Sequence, residues 1–473
     1  MTEVSAVVGA SPHAEIEAIV TKLNASRPDA RHVRYEGPAP FGQGMIVQRF
    51  ALANGLRVLI EVDPAAPVVC LQTWMRVGSR FEKTGKTGIS HLFEHLMFGE
   101  TEESAHGAFD RMLEEAGGET NAATSLDWTY YHQNLPREAL ALGLRLEAER
   151  MGKLILREPQ VASEKEVVAN ERRQRVDDDV DGAVNEILYR EAFRTHAYGI
   201  PTIGWMQDIL GFTPEDCVSF YRTYYAPNNA TLVLVGDVDL EASLGLIADH
   251  MGALVASDIP VEDVKPEPPQ TEERRIEVDK PSPTHRVAIG YKCPALGDFD
   301  HAPLVVLNEI LFGGRSSRVH RRLLKELEIA TEVRGWVGTG RDPSLYDISL
   351  TARDDVTGEA LLAAFDAEIA KVLADPVQEA ELDRAKSRLE LGTLQSLESV
   401  SGRAETIGFY DTVLGEPGAL FTKLDAYRRV TRSDVLRVAR RCLVNDVRTL
   451  VLVRPTADEP DGEGEDEGDE VAA

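Results

Sequence analysis

Apolar residues recur along this chain with two different periods. Alternating or continuous short runs occur at residues 57–62 (RVLIEV) and 68–77 (VVCLQTWMRV), and again at 275–278 (RIEV), 285–291 (HRVAIGY) and 346–352 (YDISLTA). That spacing predicts strands with one or both faces covered. Helical spacing appears between them, for example over His13–Ala25, from Ser90 onward and over Glu164–Arg175. Strands and helices arrive in runs rather than in strict alternation, which predicts an α+β fold whose sheets are rich in antiparallel pairs and packed with helices.

Two distant segments carry the same pattern. Thr213–Val235 (TPEDCVSFYRTYYAPNNATLVLV) lies over Thr431–Val453 (TRSDVLRVARRCLVNDVRTLVLV) without a gap, at an offset of 218. Thr213 and Thr431, Asp216 and Asp434, Arg222 and Arg440 and the whole TLVLV run coincide. Each copy reads as a helix capped by threonine, with an acid three residues on, feeding a buried strand. An internal duplication explains this and predicts two similar domains. Residues 257–273 (SDIPVEDVKPEPPQTEE) are rich in proline and acids and read as the linker. The expected division is a helix and irregular connector over 1–43, a first domain over 44–256, a second over 274–455 and an acidic tail over 456–473.

The chain is 473 residues long, with 43% hydrophobic and 27% charged residues, ordinary values for a globular protein. A net charge of −28 argues against nucleic acid or an anionic membrane as partner. No apolar run approaches the roughly 20 residues of a membrane helix. The first residues lack a basic region followed by a continuous apolar one, so a cytoplasmic location is expected. Nine acids and no base follow Pro455, a run that repels itself and predicts a disordered tail. Cys70, Cys217, Cys293 and Cys442 are far apart in apolar contexts and read as buried thiols.

Chemistry concentrates at residues 90–101 (SHLFEHLMFGET). His91 and His95 are four apart, so on a helix that Ser90 could cap they project from one face, at a spacing that chelates one metal ion. Glu94 can face the same side without being a ligand. Neutral imidazoles suit zinc, and water on such an ion becomes acidic near neutral pH. A neighbouring carboxylate can then accept its proton and return it to a leaving amine. A hydrolytic zinc needs a third protein ligand and an open position. The helix Glu164–Arg175 offers Glu164 and Glu171, two turns apart on one face, although spacing alone equally describes a solvated charged face.

The pattern resembles the inverzincins, the inverted zinc-peptidase family that includes pitrilysin, insulysin and the mitochondrial processing peptidases. The resemblance runs from about Gly44 to Pro455, through GSRFEKTGKTGISHLFEHLMFGET, GGETNAATSLDWTYYH, HAYGIPTIGW and FYRTYYAPNNATLVLVGDVD. It implies that His91, His95 and Glu171 hold one zinc ion per chain, the glutamate standing 76 residues after the second histidine. It implies Glu94 as the catalytic base and Glu164 as a carboxylate supporting the site. It places Asn121 and Ala122 on an edge strand along which a peptide substrate adds as a further strand, and the alternation in TSLDWTYYH independently fits an edge strand.

The second half departs from this. Aligning Phe312-Gly313 with Phe98-Gly99 puts Val305, Asn308 and Glu309 where His91, Glu94 and His95 stand, so the second copy has no zinc site. Many members of the family also carry an arginine and a tyrosine seven apart after an SSR in the second domain; here those positions hold Leu324 and Thr331. The resemblance therefore implies a zinc endopeptidase for unfolded peptides, working as one subunit of a heterodimer whose homologous partner supplies that pair. The alternatives are a self-sufficient homodimer and a non-catalytic assembly subunit of the same fold.

Overall fold

The computed structural model describes residues 12–42 and 44–456; the acidic tail beyond Thr456 lies outside these residues. Among the described residues, twelve strands form two sheets. The first has seven: β1 (Val33–Pro40), β2 (Ile46–Leu52), β3 (Arg57–Val62), β4 (Val68–Met75), β5 (Glu119–Thr124), β6 (Thr129–Pro136) and β7 (Ala230–Gly236). The second has five: β8 (Arg274–Pro281), β9 (Arg286–Cys293), β10 (Ala330–Val337), β11 (Ser344–Ala352) and β12 (Thr449–Thr456).

Strand order makes the duplication plain. After β1 and β2 the first sheet runs β3-β7-β4-β6-β5, and the second runs β8-β12-β9-β11-β10. In each, the first pair is parallel and the remainder antiparallel. The repeated TLVLV segments are β7 and β12, the second strand of each five-strand set. The helices feeding them, Pro214–Tyr224 and Arg432–Cys442, both begin with a complete capping box, Thr213 with Asp216 and Thr431 with Asp434.

Each half has its own apolar core on one face of its sheet. The other faces are covered by exchange. Helix Val400–Leu414, from the second half, lies across β4 and β7 and buries Trp74, Val233 and Val235 with its own Ala404 and Ile407. It sits so close that a Cβ on Gly408 would stand 2.0 Å from the Trp74 indole nitrogen. Helix Val180–Ala192, from the first half, packs in turn on β9 and β12 through Val184, Leu188 and Ala192. Neither sheet is covered by its own half alone.

Two readings need correction. Residues 33–40, read as irregular connector, are strand β1, paired with β2 through a bulge between Tyr35 and Gly37. Its Pro38 and Pro40 sit on an edge strand, where a missing amide donor costs little. The stretch Thr124–His132 is not an edge strand. It ends β5, turns, and begins β6, an interior strand whose alternation reflects different packing on its two faces.

Residues 257–271 form no helix or strand, yet they are tied down. The Glu267 carboxylate accepts the backbone amides of Arg194, Thr195 and His196, and Ser257 donates to Thr223 O and Asn228 Oδ1. All four cysteines are buried and unpaired. No described helix is long and apolar enough to cross a membrane.

Candidate metal centre

The motif helix spans Ile89–Leu96 and begins at Gly88, whose φ of 87° suits glycine. Any Cβ at Gly88 would also meet the Ile203 carbonyl oxygen at 2.3 Å. Ser90 lies inside the helix and does not cap it. The cap comes from outside the helix. The Glu82 carboxylate accepts the amides of Gly88 and Ser90 at 2.7 and 2.8 Å, satisfying donors that a helix start leaves open. Ile89, Leu92, Phe93 and Leu96 are sunk in the first core, and the Tyr131 hydroxyl donates to the Phe93 carbonyl at 3.0 Å. With the apolar stripe so fixed, positions 91, 94 and 95 face a cleft.

Across that cleft runs helix Glu158–Arg172, longer at its start than the sequence pattern suggested. Its Val161, Val168 and Ala169 are buried. Arg172 locks its end by donating to Glu186 and to the Gly204 carbonyl, both at 2.8 Å. A π-helical turn, Arg173–Asp177, follows at once; such turns recur at functional sites. Glu171 stands just before it.

Three donor atoms converge. Glu171 Oε2 is 3.5 Å from His91 Nε2 and 3.3 Å from His95 Nε2. The imidazole centroids are 5.1 Å apart, with planes inclined at 69°. A tetrahedral zinc with ligands at roughly 2.0–2.2 Å requires donor–donor edges of about 3.3–3.6 Å. The 3.5 and 3.3 Å separations in this structure fall in that range. Glu171 Oε2 is, moreover, buried and faces the two imidazoles, while Oε1 is ion-paired with Arg175 Nε at 3.1 Å. A buried carboxylate oxygen is costly unless a cation meets it, so these residues fit a divalent ion. Among the described residues they are the one group of three or more such side chains close enough to share one.

The same proximity shifts their protonation. Burial draws His91 below its ordinary value. Burial acts likewise on His95, but the Glu171 carboxylate outweighs it and leaves that imidazole raised. The His95 contact in turn holds the Glu171 carboxyl below the usual range.

The other expected residues separate into two groups. Glu94, Asn121 and Ala122 line the same open cleft, of about 690 Å³, together with His91, His95 and Glu171. Asn121 and Ala122 lie on β5, which is an edge of its sheet. Glu164 does not line the cleft. Its Oε2 is 3.8 Å from His95 Nδ1, behind the ring and beyond hydrogen-bond range. It stands beside the second imidazole and outside the lining of the cleft. Sequence reasoning missed Glu82, Arg175 and Asn170. Arg175 alone carried a signal, four residues after Glu171 on one helical face.

Two β-rich halves in matching strand order, with a His-x-x-Glu-His helix facing a distant glutamate, define the inverted zinc-peptidase class. The chain belongs to peptidase family M16, which includes pitrilysin and the mitochondrial processing peptidases: the family described as "Insulinase (Peptidase family M16)" matches residues 57–205, and "Peptidase M16 inactive domain" matches residues 211–389. It is 32% identical over 410 residues to the zinc protease PqqE of Helicobacter pylori, covering 85% of this chain and 92% of that one. A crystal structure of a protease from Helicobacter pylori superposes with a TM-score of 0.83 at 31% identity, covering 86% of this chain and 99% of the other. The probable mitochondrial-processing peptidase subunit beta of Arabidopsis thaliana is 26% identical over 467 residues, 94% of this chain and 87% of that protein.

Proposed function

We propose that this chain is the zinc-bearing subunit of a heterodimeric endopeptidase that hydrolyses unfolded peptides. The observation that carries the reading is the convergence of His91, His95 and Glu171 within 4.8 Å beside Glu94 and an open sheet edge. His91, His95 and Glu171 would hold one zinc ion, which when bound would acidify water and polarise a carbonyl. Glu94 accepts the proton of the attacking water on its carboxylate and returns it to the amide nitrogen as the bond breaks. Arg175 occupies Glu171 Oε1, so that the other oxygen is presented to the ion, and Glu164 keeps His95 turned toward it. The peptide adds to β5 as an extended strand, its backbone held along Asn121 and Ala122.

A second subunit is favoured by what the cleft lacks. Among the described residues its lining comes from residues 91–175, and none is from the second half. Leu324 packs against the second core, and the Thr331 hydroxyl donates to the Thr351 carbonyl at 3.4 Å. Neither supplies the charged or phenolic donor that would steady a developing oxyanion. A homologous partner closing over the open side would bring one.

The test is direct. Purified alone, the chain should retain one zinc per protomer through dialysis and cleave flexible peptides poorly; adding the partner co-purified from the native host should raise the rate steeply. Full activity of the isolated chain would leave a self-sufficient peptidase, and absence of zinc would leave a non-catalytic assembly subunit.

A further inference from the structure

Strand β5 is paired on one side only, with β6, and its last residue, Thr124, lines the metal cleft with His91 and Glu171. The turn that follows is fastened from several directions. The amides of Ser79 and Arg80 donate to the Ser125 and Leu126 carbonyls at 3.2 and 2.9 Å. Asp127, only 8% exposed, gathers three donors: Arg80 Nη1 at 3.0 Å, the Tyr198 hydroxyl at 2.8 Å and the backbone amide of Arg341 at 2.9 Å.

Arg341 belongs to the second half. With Asp342 it lies at the tip of the hairpin that joins β10 to β11. Asp342 Oδ2 accepts Arg80 Nη2 at 2.8 Å and faces His196 Nε2 at 3.0 Å, and the Asp342 amide donates to the Tyr198 hydroxyl at 3.1 Å. The Tyr198 amide donates to His196 Nδ1, so the ring proton sits on Nε2 and points at Asp342. Arg80 and Tyr198 thus each bridge Asp127 to Asp342. Glu262, in the segment connecting the halves, pairs with Arg341 Nη1 at 2.7 Å. Charge-assisted bonds of this kind fix geometry closely, and removing one partner leaves a buried arginine short of an acceptor.

A peptide added to β5 inherits the position of that strand. We infer that the β10–β11 tip is a clamp on the substrate strand: Asp342 and Asp127 are positioning residues that hold the end of β5, and so place the scissile carbonyl against His91, Glu94 and His95. The inference rests on the peptidase reading above, and gives the second half, which has no metal site of its own, a part in the reaction.

Asp342→Ala, at a side chain 36% exposed, is the variant to test in the zinc-loaded enzyme assembled with its partner. Zinc content should be unchanged and KM should stay within about threefold, while kcat per zinc-loaded protein falls about 10–100-fold, the effect of a misplaced reacting group. Amide hydrogen exchange over residues 119–136, which hold β5 and β6, should quicken with or without zinc. Asp342→Asn keeps the shape and one acceptor; it should give a smaller loss of the same kind, and it serves if the alanine variant folds poorly. The control is Asp63→Ala, which breaks another ion pair between the halves, with Arg403 at the end of β3, and should leave kcat unchanged. An unchanged kcat in both Asp342 variants, or an equal fall in Asp63→Ala, overturns the clamp and leaves the peptidase reading standing. An inactive wild-type assembly overturns that reading and the clamp with it.

Discussion

The helices Ile89–Leu96 and His301–Phe312 occupy equivalent places in the two halves, and only one can hold a metal. In the first, two imidazoles face one oxygen of Glu171. In the second, Glu309 stands where His95 would and is closed off by an ion pair with Arg388, on helix Glu379–Ser396. The architecture around them is the same: a sheet with an open edge strand, β5 or β10, and a cleft beside it, lined in the second half by Asn308, Glu309 and Trp336. The fold therefore supplies a groove and an edge, and the chemistry resides in a few side chains added to them. Charge pairing satisfies Glu309 in the second half, whereas Glu171 in the first half faces two imidazoles.

The largest break of this comparison is to make the first half resemble the second. Glu171→Gln removes the anionic ligand while keeping its size; zinc content after dialysis, read by atomic emission, should fall from stoichiometric to near zero, with peptide hydrolysis by the assembled enzyme at background. Zinc retained in full would refute the triad. Next in size is Glu94→Gln, which should leave zinc content unchanged and lower kcat about 10²–10⁴-fold, the contribution of a positioned general base. A fall in zinc content instead would make Glu94 a ligand.

How much of this was legible beforehand depended on range along the chain. His91, Glu94 and His95 announce themselves because helical spacing is local, and Glu171 through its helix together with the family interval. The matching threonine caps and TLVLV strands gave the duplication for the same reason. Strand β1 was lost because Gly37, Pro38 and Pro40 speak against a strand unless one knows that it lies at an edge with a bulge. The exchange of helices Val400–Leu414 and Val180–Ala192 leaves no trace in periodicity, since a buried face does not say whose sheet buries it. Glu82 was missed on similar grounds: it meets the amides of Gly88 and Ser90 through a loop, at intervals that match no regular element.

Glu82 offers the next, smaller effect. Glu82→Ala withdraws the acceptor of two amides at the start of the helix bearing His91, a loss of about 1–3 kcal/mol in stability. Because that turn aims the first imidazole, zinc affinity should also drop about 10–100-fold, as when supporting groups around a metal are removed. Competition with a chelator, measured well below the unfolding temperature, separates the two; a lower melting temperature with unchanged zinc affinity would reduce Glu82 to a structural cap.

The smallest effect is the counterpart in the second half. Glu309→Gln breaks the pair with Arg388, whose side chain is 50% exposed, so the loss in stability should stay within about 1 kcal/mol. Zinc content and peptide hydrolysis should not change, because Glu309 borders a cleft that holds no second ligand set. The same kind of change, carboxylate to amide, thus abolishes function at Glu171 and passes almost unnoticed at Glu309. Should Glu309→Gln lower hydrolysis while zinc stays bound, the second cleft would be part of the path a peptide follows, and the two halves would share the substrate and not only the scaffold.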